Sequence, residues 1–371
     1  MKIKNIGFDA RLIGETGVGR YIKNLLDNLS KIDKVNHYYV FLKSEDFNRL
    51  TFPNHNFHKI ALDIRWHSIK EQLYLPFILS KYRFDIVHFP YFNVPLLYPG
   101  KYIVTVHDLI IDHNKTGRAS TMPGIFYRGK RLFYKLIMNN ALKKAAKILA
   151  ISESTKKEII DHYHISSAKI IVTSNALDSD FLTLSRKHQP KKYYDFNYLL
   201  FVGNAYPHKN LEALVEVFSD SRINQKIKLV LAGDDWFFYP RLKELVKQKK
   251  LTKFIYFFGR ASNSQLIDLY AFARTLIVPS LMEGFGLPNL EAVQLGLLPL
   301  VSDIPAFREV WHDHLIYFNP QDLNDIKKAI TSHLRLSPSH LKKLHQSAKE
   351  VIRQYSWKQT AATALFQYKN S

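Results

Sequence analysis

Short apolar, β-branched segments recur along this chain in two runs, and a polar stretch separates them. The first run occupies 3–8, 38–42, 84–89, 102–106, 147–151 and 170–173. The second occupies 198–202, 226–232, 254–258, 275–278 and 297–301. Helical patterns fill the intervals, while 51–70 reads as irregular and rich in aromatics and His. Alternating strands and helices demand parallel sheets with helices on both faces. The spacing therefore predicts an α/β chain of two doubly wound, Rossmann-like domains facing each other across a substrate cleft. The expected boundaries are 1–182 for the first domain, 183–197 for a charged linker and 198–352 for the second domain. A C-terminal helical segment, 353–371, could pack back on the first domain.

Composition narrows the chemistry. The chain has 371 residues, enough for two domains, and no cysteine. Disulfides, thiolate metal sites and cysteine nucleophiles are excluded, and a reducing cytoplasm fits. The N-terminal residues lack the apolar run of a signal peptide, and no stretch of about 18 apolar residues suggests a membrane span. A soluble or peripheral protein is expected. The formal charge of +21 points to an anionic partner: nucleic acid, an anionic membrane or phosphorylated substrates. Equally, many of the lysines can simply be solvated.

The chemistry concentrates in loops at the carboxyl ends of strands, where open α/β sheets bind ligands. After 275–278 comes Glu283-Gly284-Phe285-Gly286-Leu287-Pro288, with Glu291 eight residues beyond Glu283. Two glycines, an acid and a proline suited to a helix start place backbone N–H groups and a positive helix end at the strand's tip. Glu283 is positioned for substrate hydroxyls or a developing cation, and Glu291 either joins it or only answers the helix dipole. The first strand runs into a Gly-rich turn with Gly17, Val18 and Gly19, which is either a phosphate or sugar approach or a simple βα turn. The second domain opens Val202-Gly203-Asn204, with Lys209 near the next helix start. A lysine there is a point charge for a diphosphate, or a surface lysine. His107 ends another strand; it either bonds a sugar hydroxyl, takes part in proton transfer, or is structural. Asp234-Asp235 follows a strand as a common turn. Zinc, P-loop and serine-hydrolase motifs are missing.

Val202-Gly203 with Lys209-Asn210, Leu231-Ala232-Gly233, Phe258-Gly259-Arg260, Pro279 through Glu291, and Ser302 through Val310 together resemble the retaining, nucleotide-sugar-dependent glycosyltransferases of family four, the glycosyl transferases group 1. Gly17 through Tyr21, His107-Asp108-Leu109 and Ser152-Glu153-Ser154 fit the same family. The resemblance implies the GT-B fold and an NDP-sugar donor. It implies Glu291 at the ribose, Glu283 and the backbone of Gly284, Phe285, Gly286 and Leu287 at the donor sugar and phosphates, and Lys209 at the diphosphate. Arg260 and Ala261 would contact the base, Gly17 to Gly19 the phosphates and acceptor side, and His107 the donor sugar. Transfer of this kind needs no obligatory metal and no cofactor besides the donor. Where many relatives carry Arg after the Val-Gly pair, this chain has Asn204, so Lys209 would be helped by the helix dipole and by Arg260 or Arg308. Glu71 through Pro76 looks most like mannosyl- or rhamnosyl-transferring members.

The expected activity is therefore hexose transfer, mannose favoured, to a glycan acceptor, lipid-linked, in cell-envelope polysaccharide or lipopolysaccharide assembly at the inner face of the cytoplasmic membrane. The basic, aromatic helix expected over Arg128–Lys147 would dock on anionic lipid, or is an ordinary helix with a wet basic face. A glycogen-type synthase or a sugar-nucleotide epimerase shares the fold. A nucleic-acid-binding protein is the reading from another class; it requires a continuous basic groove and no need for Glu283, and no nucleic acid is the expectation here.

Overall fold

The computed structural model describes residues 3–15, 17–113 and 124–371. The chain divides into two compact units. The first is built from the chain up to Leu109, from the helix Gly124–Lys144 to Asn175, and from Tyr355 onward. The second is built chiefly from Ala176–Gln354.

The first unit holds seven parallel strands: β1 (Asn5–Asp9), β2 (His37–Leu42), β3 (Phe57–Ala61), β4 (Ile86–Phe89), β5 (Tyr102–Val106), β6 (Lys147–Ala150) and β7 (Ile170–Val172), in the order β3-β2-β1-β4-β5-β6-β7. Strands β4 and β5 are buried along their whole length, as a sheet covered on both faces requires. Helix α1 (Gly17–Ile32) buries Tyr21, Leu25, Leu26 and Leu29, the spacing seen in sequence. Strand β3 lies within 51–70, which sequence reading left irregular. Its segment Phe57-His58-Lys59-Ile60-Ala61 shows no apolar alternation because it is an edge strand paired only with β2.

The second unit holds β8 (Tyr198–Val202), β9 (Lys228–Ala232), β10 (Ile255–Gly259), β11 (Thr275–Val278), β12 (Leu300–Ser302) and β13 (Ile316–Phe318), all parallel, in the order β10-β9-β8-β11-β12-β13. The three-residue edge strand β13 was not foreseen. Residues 183–187, expected as linker, are the end of the helix Ser179–Lys187, and His188 Nε2 sits 2.6 Å from Asp268 of the second unit. In each sheet the strand order reverses once, between β1 and β4 and between β8 and β11. Such reversals open a crevice at the carboxyl ends of the two strands.

The C-terminal helix Trp357–Asn370 belongs to the first unit. Lys4 Nζ donates to Tyr368 O at 2.8 Å, and Thr360 Oγ1 to Ser174 O at 2.6 Å. Within the core, the Tyr368 hydroxyl lies 2.5 Å from His88 Nδ1, and His88 Nε2 lies 2.8 Å from Thr105 Oγ1. Burial, with nearby His107 adding to it, lowers the His88 pKa to about 3, so the ring is neutral and needs these partners. Tyr368→Phe strands one nitrogen of a fully buried ring. The expected loss is about 1–3 kcal/mol, seen as a lower urea midpoint for the first unit.

Candidate active site

The second unit's switch point is assembled from the loops after β8 and β11. Gly233, just past β9, admits no side chain: a Cβ there would lie 1.7 Å from Gly203 O. Gly203 N in turn donates to Ala232 O at 3.0 Å, and the Tyr239 hydroxyl donates to Gly203 O at 2.8 Å. Asp235 accepts from Ala205 N at 3.0 Å with one oxygen and from the backbone N–H groups of Phe237 and Tyr239, at the start of the helix Phe238–Gln248, with the other. The Asp234-Asp235 turn thus fastens the 203–205 loop to that helix.

The turn Pro207–Lys209 is fixed to the acid loop. Asn210 adopts the left-handed conformation (φ 58°), and its Nδ2 reaches Pro279 O at 3.2 Å and Pro320 O at 2.9 Å. Leu281 N donates to His208 O at 2.7 Å. These bonds bring Lys209 and Glu283 together: Nζ to Oε1 is 2.6 Å, and Ser280 Oγ donates to the same Oε1 at 2.8 Å. The Glu283 and Lys209 side chains are only 12% and 19% exposed. Burial alone would raise the Glu283 pKa, but the Lys209 charge, His208 and the two hydrogen bonds outweigh it and hold the pKa below the ordinary range. Glu283 is therefore a carboxylate at neutral pH. His208 is lowered to about 4, by burial and then by Lys209, and stays neutral.

Downstream, Gly286 takes a left-handed φ of 87°, and a Cβ there would fall 2.6 Å from the Phe307 ring. It precedes the helix Leu287–Gln294, which has Pro288 in its first turn and no side-chain cap. An uncapped start leaves backbone N–H groups and the positive helix end for an anion. Phe285 is buried, and Gly284 and Leu287 flank this start. Glu291 lies in the second turn of this helix, past the first-turn positions where an acid answers the helix dipole. It is buried, and its Oε2 accepts the Tyr270 hydroxyl at 3.0 Å. Arg260 and Ala261 follow Gly259 at the carboxyl end of β10, with Arg260 exposed. Asn204 Oδ1 is buried without a partner. Arg308, weighed as a helper for the diphosphate, is committed elsewhere: it holds Asp303 at 2.7 and 2.8 Å and Asp313 at 2.6 Å, and stacks on Tyr317.

In the first unit, Gly17 opens α1 with no atom within 4 Å of where a Cβ would stand, leaving its backbone approachable. Val18 is half-buried. Gly19 is required by packing, because a Cβ would lie 2.3 Å from Ile13 O. His107 is buried against the edge of Tyr21, and its Nε2 donates to Pro90 O at 2.9 Å. Burial lowers its pKa to about 4, against the opposing effect of that bond. A neutral ring whose proton is on Nε2 offers Nδ1 as an acceptor, which suits a hydroxyl and not proton donation.

A second constellation at the first unit's switch point escaped sequence reading. Arg11, just past β1, is almost fully buried. It reaches Asp9 at 2.6 and 2.8 Å, Glu71 Oε1 at 2.6 Å and Ile64 O at 2.9 Å. Glu71 Oε2 accepts from His67 N at 2.8 Å and from Asn93 Nδ2. Asp9 and Arg11 at a strand's tip were the available signal; the partner acid is 60 residues away.

Residues 16–181 match the family model for glycosyltransferase family 4, and residues 185–351 match that for glycosyl transferases group 1. The chain is 30% identical over 242 residues to the O-antigen chain mannosyltransferase RfbU of Salmonella typhimurium, covering 64% of this chain and 62% of that protein. It is 31% identical over 288 residues to the serotype-specific mannosyltransferase WbdA of Escherichia coli, covering 72% of this chain and 33% of that one. The chain thus spans less than two thirds of the length of these relatives. Among solved structures, a glycosyltransferase from Rickettsia africae superposes with a TM-score of 0.73 at 19% identity, covering 100% of this chain and 99% of that one. The two parallel-sheet units and these likenesses make the fold GT-B.

Proposed function

We infer the function from one premise: the chain belongs to the glycosyltransferases whose models match its two halves. We propose that it is a retaining hexosyltransferase that moves a sugar, mannose foremost, from a nucleoside-diphosphate sugar to a lipid-linked glycan acceptor in O-antigen or related cell-envelope polysaccharide assembly. The observation that carries the reading is the Lys209–Glu283 pair beside the uncapped start of Leu287–Gln294. The mannosyltransferase relatives support mannose and O-antigen in particular.

The chemistry follows from the charges. Breaking the bond between the anomeric carbon and the diphosphate leaves negative charge on the phosphate and positive character on the sugar. Lys209 and the first-turn N–H groups of Leu287–Gln294 stabilise the departing diphosphate. Glu283, anionic and held by Ser280, bonds the sugar hydroxyls and balances the cationic centre. Glu291 takes the ribose hydroxyls, and Arg260 and Ala261 border the base. The acceptor hydroxyl attacks from the leaving-group side and passes its proton to the departing phosphate, which gives retention. His107 Nδ1 accepts from a donor-sugar hydroxyl.

Titration calorimetry with GDP-, UDP- and dTDP-sugars tests the donor class, and binding of none of them overturns the reading. Lys209→Ala should weaken nucleoside-diphosphate affinity by about 10–100-fold, the worth of charge-assisted bonds of ~1.5–3 kcal/mol. Unchanged affinity would move the phosphate site away from Lys209.

A further inference from the structure

Helix α2 (Ile69–Lys81) turns an apolar face outward. Its inward face buries Leu75 and Leu79 in the first unit's core, with Pro76 and the ion-paired Glu71 also buried. Yet Ile69, Leu73, Tyr74 and Phe77 are 78%, 60%, 58% and 63% exposed. At 100° per residue these four share one side of the helix. An apolar row of this size is ordinarily covered, and among the described residues this one lacks a cover. Exposed lysines bracket the row: Lys70 at its start, and Lys81 at its end with Nζ 4.5 Å from the Phe77 ring centroid.

The surface continues beyond α2. Leu96 N donates to Gln72 Oε1 at 3.0 Å, and the Phe92 ring meets Tyr134 of the helix Gly124–Lys144 at 5.0 Å. The 92–98 segment therefore bridges the two helices, and it carries Leu97, which is exposed. On the second helix, Leu132, Phe133 and Leu136 are exposed beside exposed Lys135. Of the basic residues expected to mark that helix as the docking element, the side chains of Arg128 and Lys130 lie outside those described. Lys147 falls in β6 and bonds Ala168 O at 3.0 Å. Lys135, Lys143 and Lys144 of that helix are exposed, so it adds basic residues to a surface whose four-residue apolar row lies on α2.

We propose that this face, led by Ile69, Leu73, Tyr74 and Phe77, seats in the interface of an anionic lipid bilayer. It deepens the lipid-linked acceptor reading, since it names the surface on which such an acceptor is met. The charge complementarity decides for lipid over a second copy of the chain: the protein carries +21, lysines flank the row at both ends, and no carboxylate lies among its exposed residues. Two identical lysine-edged faces would repel each other. Lysine stems reach up past an immersed apolar face to the phosphate level, the arrangement seen when a helix lies in the interface plane. No helix among the described residues is long and apolar enough to cross a membrane.

The test is sedimentation of the full chain with vesicles, with neither donor nor acceptor present. Binding is expected to phosphatidylcholine vesicles containing phosphatidylglycerol, and at least about tenfold weaker binding to pure phosphatidylcholine. Leu73→Ser with Phe77→Ser should reduce binding to the anionic vesicles by at least about tenfold, with unchanged helical circular dichroism and unchanged nucleoside-diphosphate affinity. If that pair fails to fold, Lys70→Glu with Lys81→Glu provides the same comparison on exposed residues. Failure of the wild-type chain to sediment overturns the proposal, as does equal sedimentation of the variants or equal binding to neutral vesicles. A wild-type dimer that the serine pair converts to monomer, without vesicle binding, also overturns it and assigns the face to a second copy. Nucleoside-diphosphate affinity is measured separately, so failure here leaves the donor-site reading standing.

Discussion

Glu283→Gln should lower kcat for hexose transfer by about a thousandfold while the second unit stays folded. The size is that of removing one pre-organised electrostatic contact from a water-poor site. Glutamine keeps the shape, and its amide oxygen can still accept from Ser280 Oγ, now 2.8 Å from Oε1. What disappears is the charge. Lys209, 2.6 Å from Glu283, then loses its ion partner and is freer to take a diphosphate. Nucleoside-diphosphate affinity should therefore hold or rise while turnover collapses. This split separates two roles. If Glu283 served only to hold Lys209 in place, the damage would appear as weaker diphosphate binding with kcat largely retained. Steady-state kinetics with calorimetry on the same preparation decide between them, and wild-type kcat in the variant removes Glu283 from the chemistry.

The strand-to-helix loops after β8 and β11 were legible because their information is local. Strand, glycine, acid, glycine and proline follow one another in sequence, and each residue type has a backbone or charge reason to stand there. Gly286 and Gly233 are examples: one takes a left-handed φ and the other meets a neighbouring carbonyl. The Lys209–Glu283 contact was not read from the sequence; it follows from the adjacency of β8 and β11, which brings their loops together. What stayed hidden depends on contacts distant in sequence, or on faces. β3 is an edge strand, so Phe57–Ala61 carries His and Lys where a central strand would carry aliphatics. Helix α2 exposes Ile69, Leu73, Tyr74 and Phe77 and buries Glu71 beside Leu75 and Leu79, so no 3.6-residue contrast marks it. Nothing local in the sequence pairs Arg11 with Glu71, which stands 60 residues away, and both residue types are ordinarily exposed. Only the fold shows that they meet in the interior.

That buried pair should prove the most sensitive point of the first unit. Arg11→Ala is expected to cost roughly 3–5 kcal/mol, because removing one member of a buried ion pair leaves the other uncompensated. Glu71 is the exposed-to-harm partner: its side chain is 0% accessible, and it keeps its charge inside only beside Arg11. Its pKa is already raised by burial and by Asp9, with Arg11 pulling the other way. Without Arg11 the Glu71 pKa climbs further, and the sign of the pH effect follows. An acid whose folded pKa lies above its unfolded value carries no penalty below the unfolded pKa. The penalty grows as pH rises from there towards the folded pKa. The deficit of Arg11→Ala should thus be larger at pH 8 than at pH 5, read from urea melts of the first unit against the wild-type chain. Combining Arg11→Met with Glu71→Leu should recover part of the loss, since it removes the buried Glu71 charge while Asp9 still lacks its cation. A single-variant deficit that is independent of pH, or a double variant no better than Arg11→Ala, would mean that the arginine acts through packing, with its stem and not its charge holding β1 to α2.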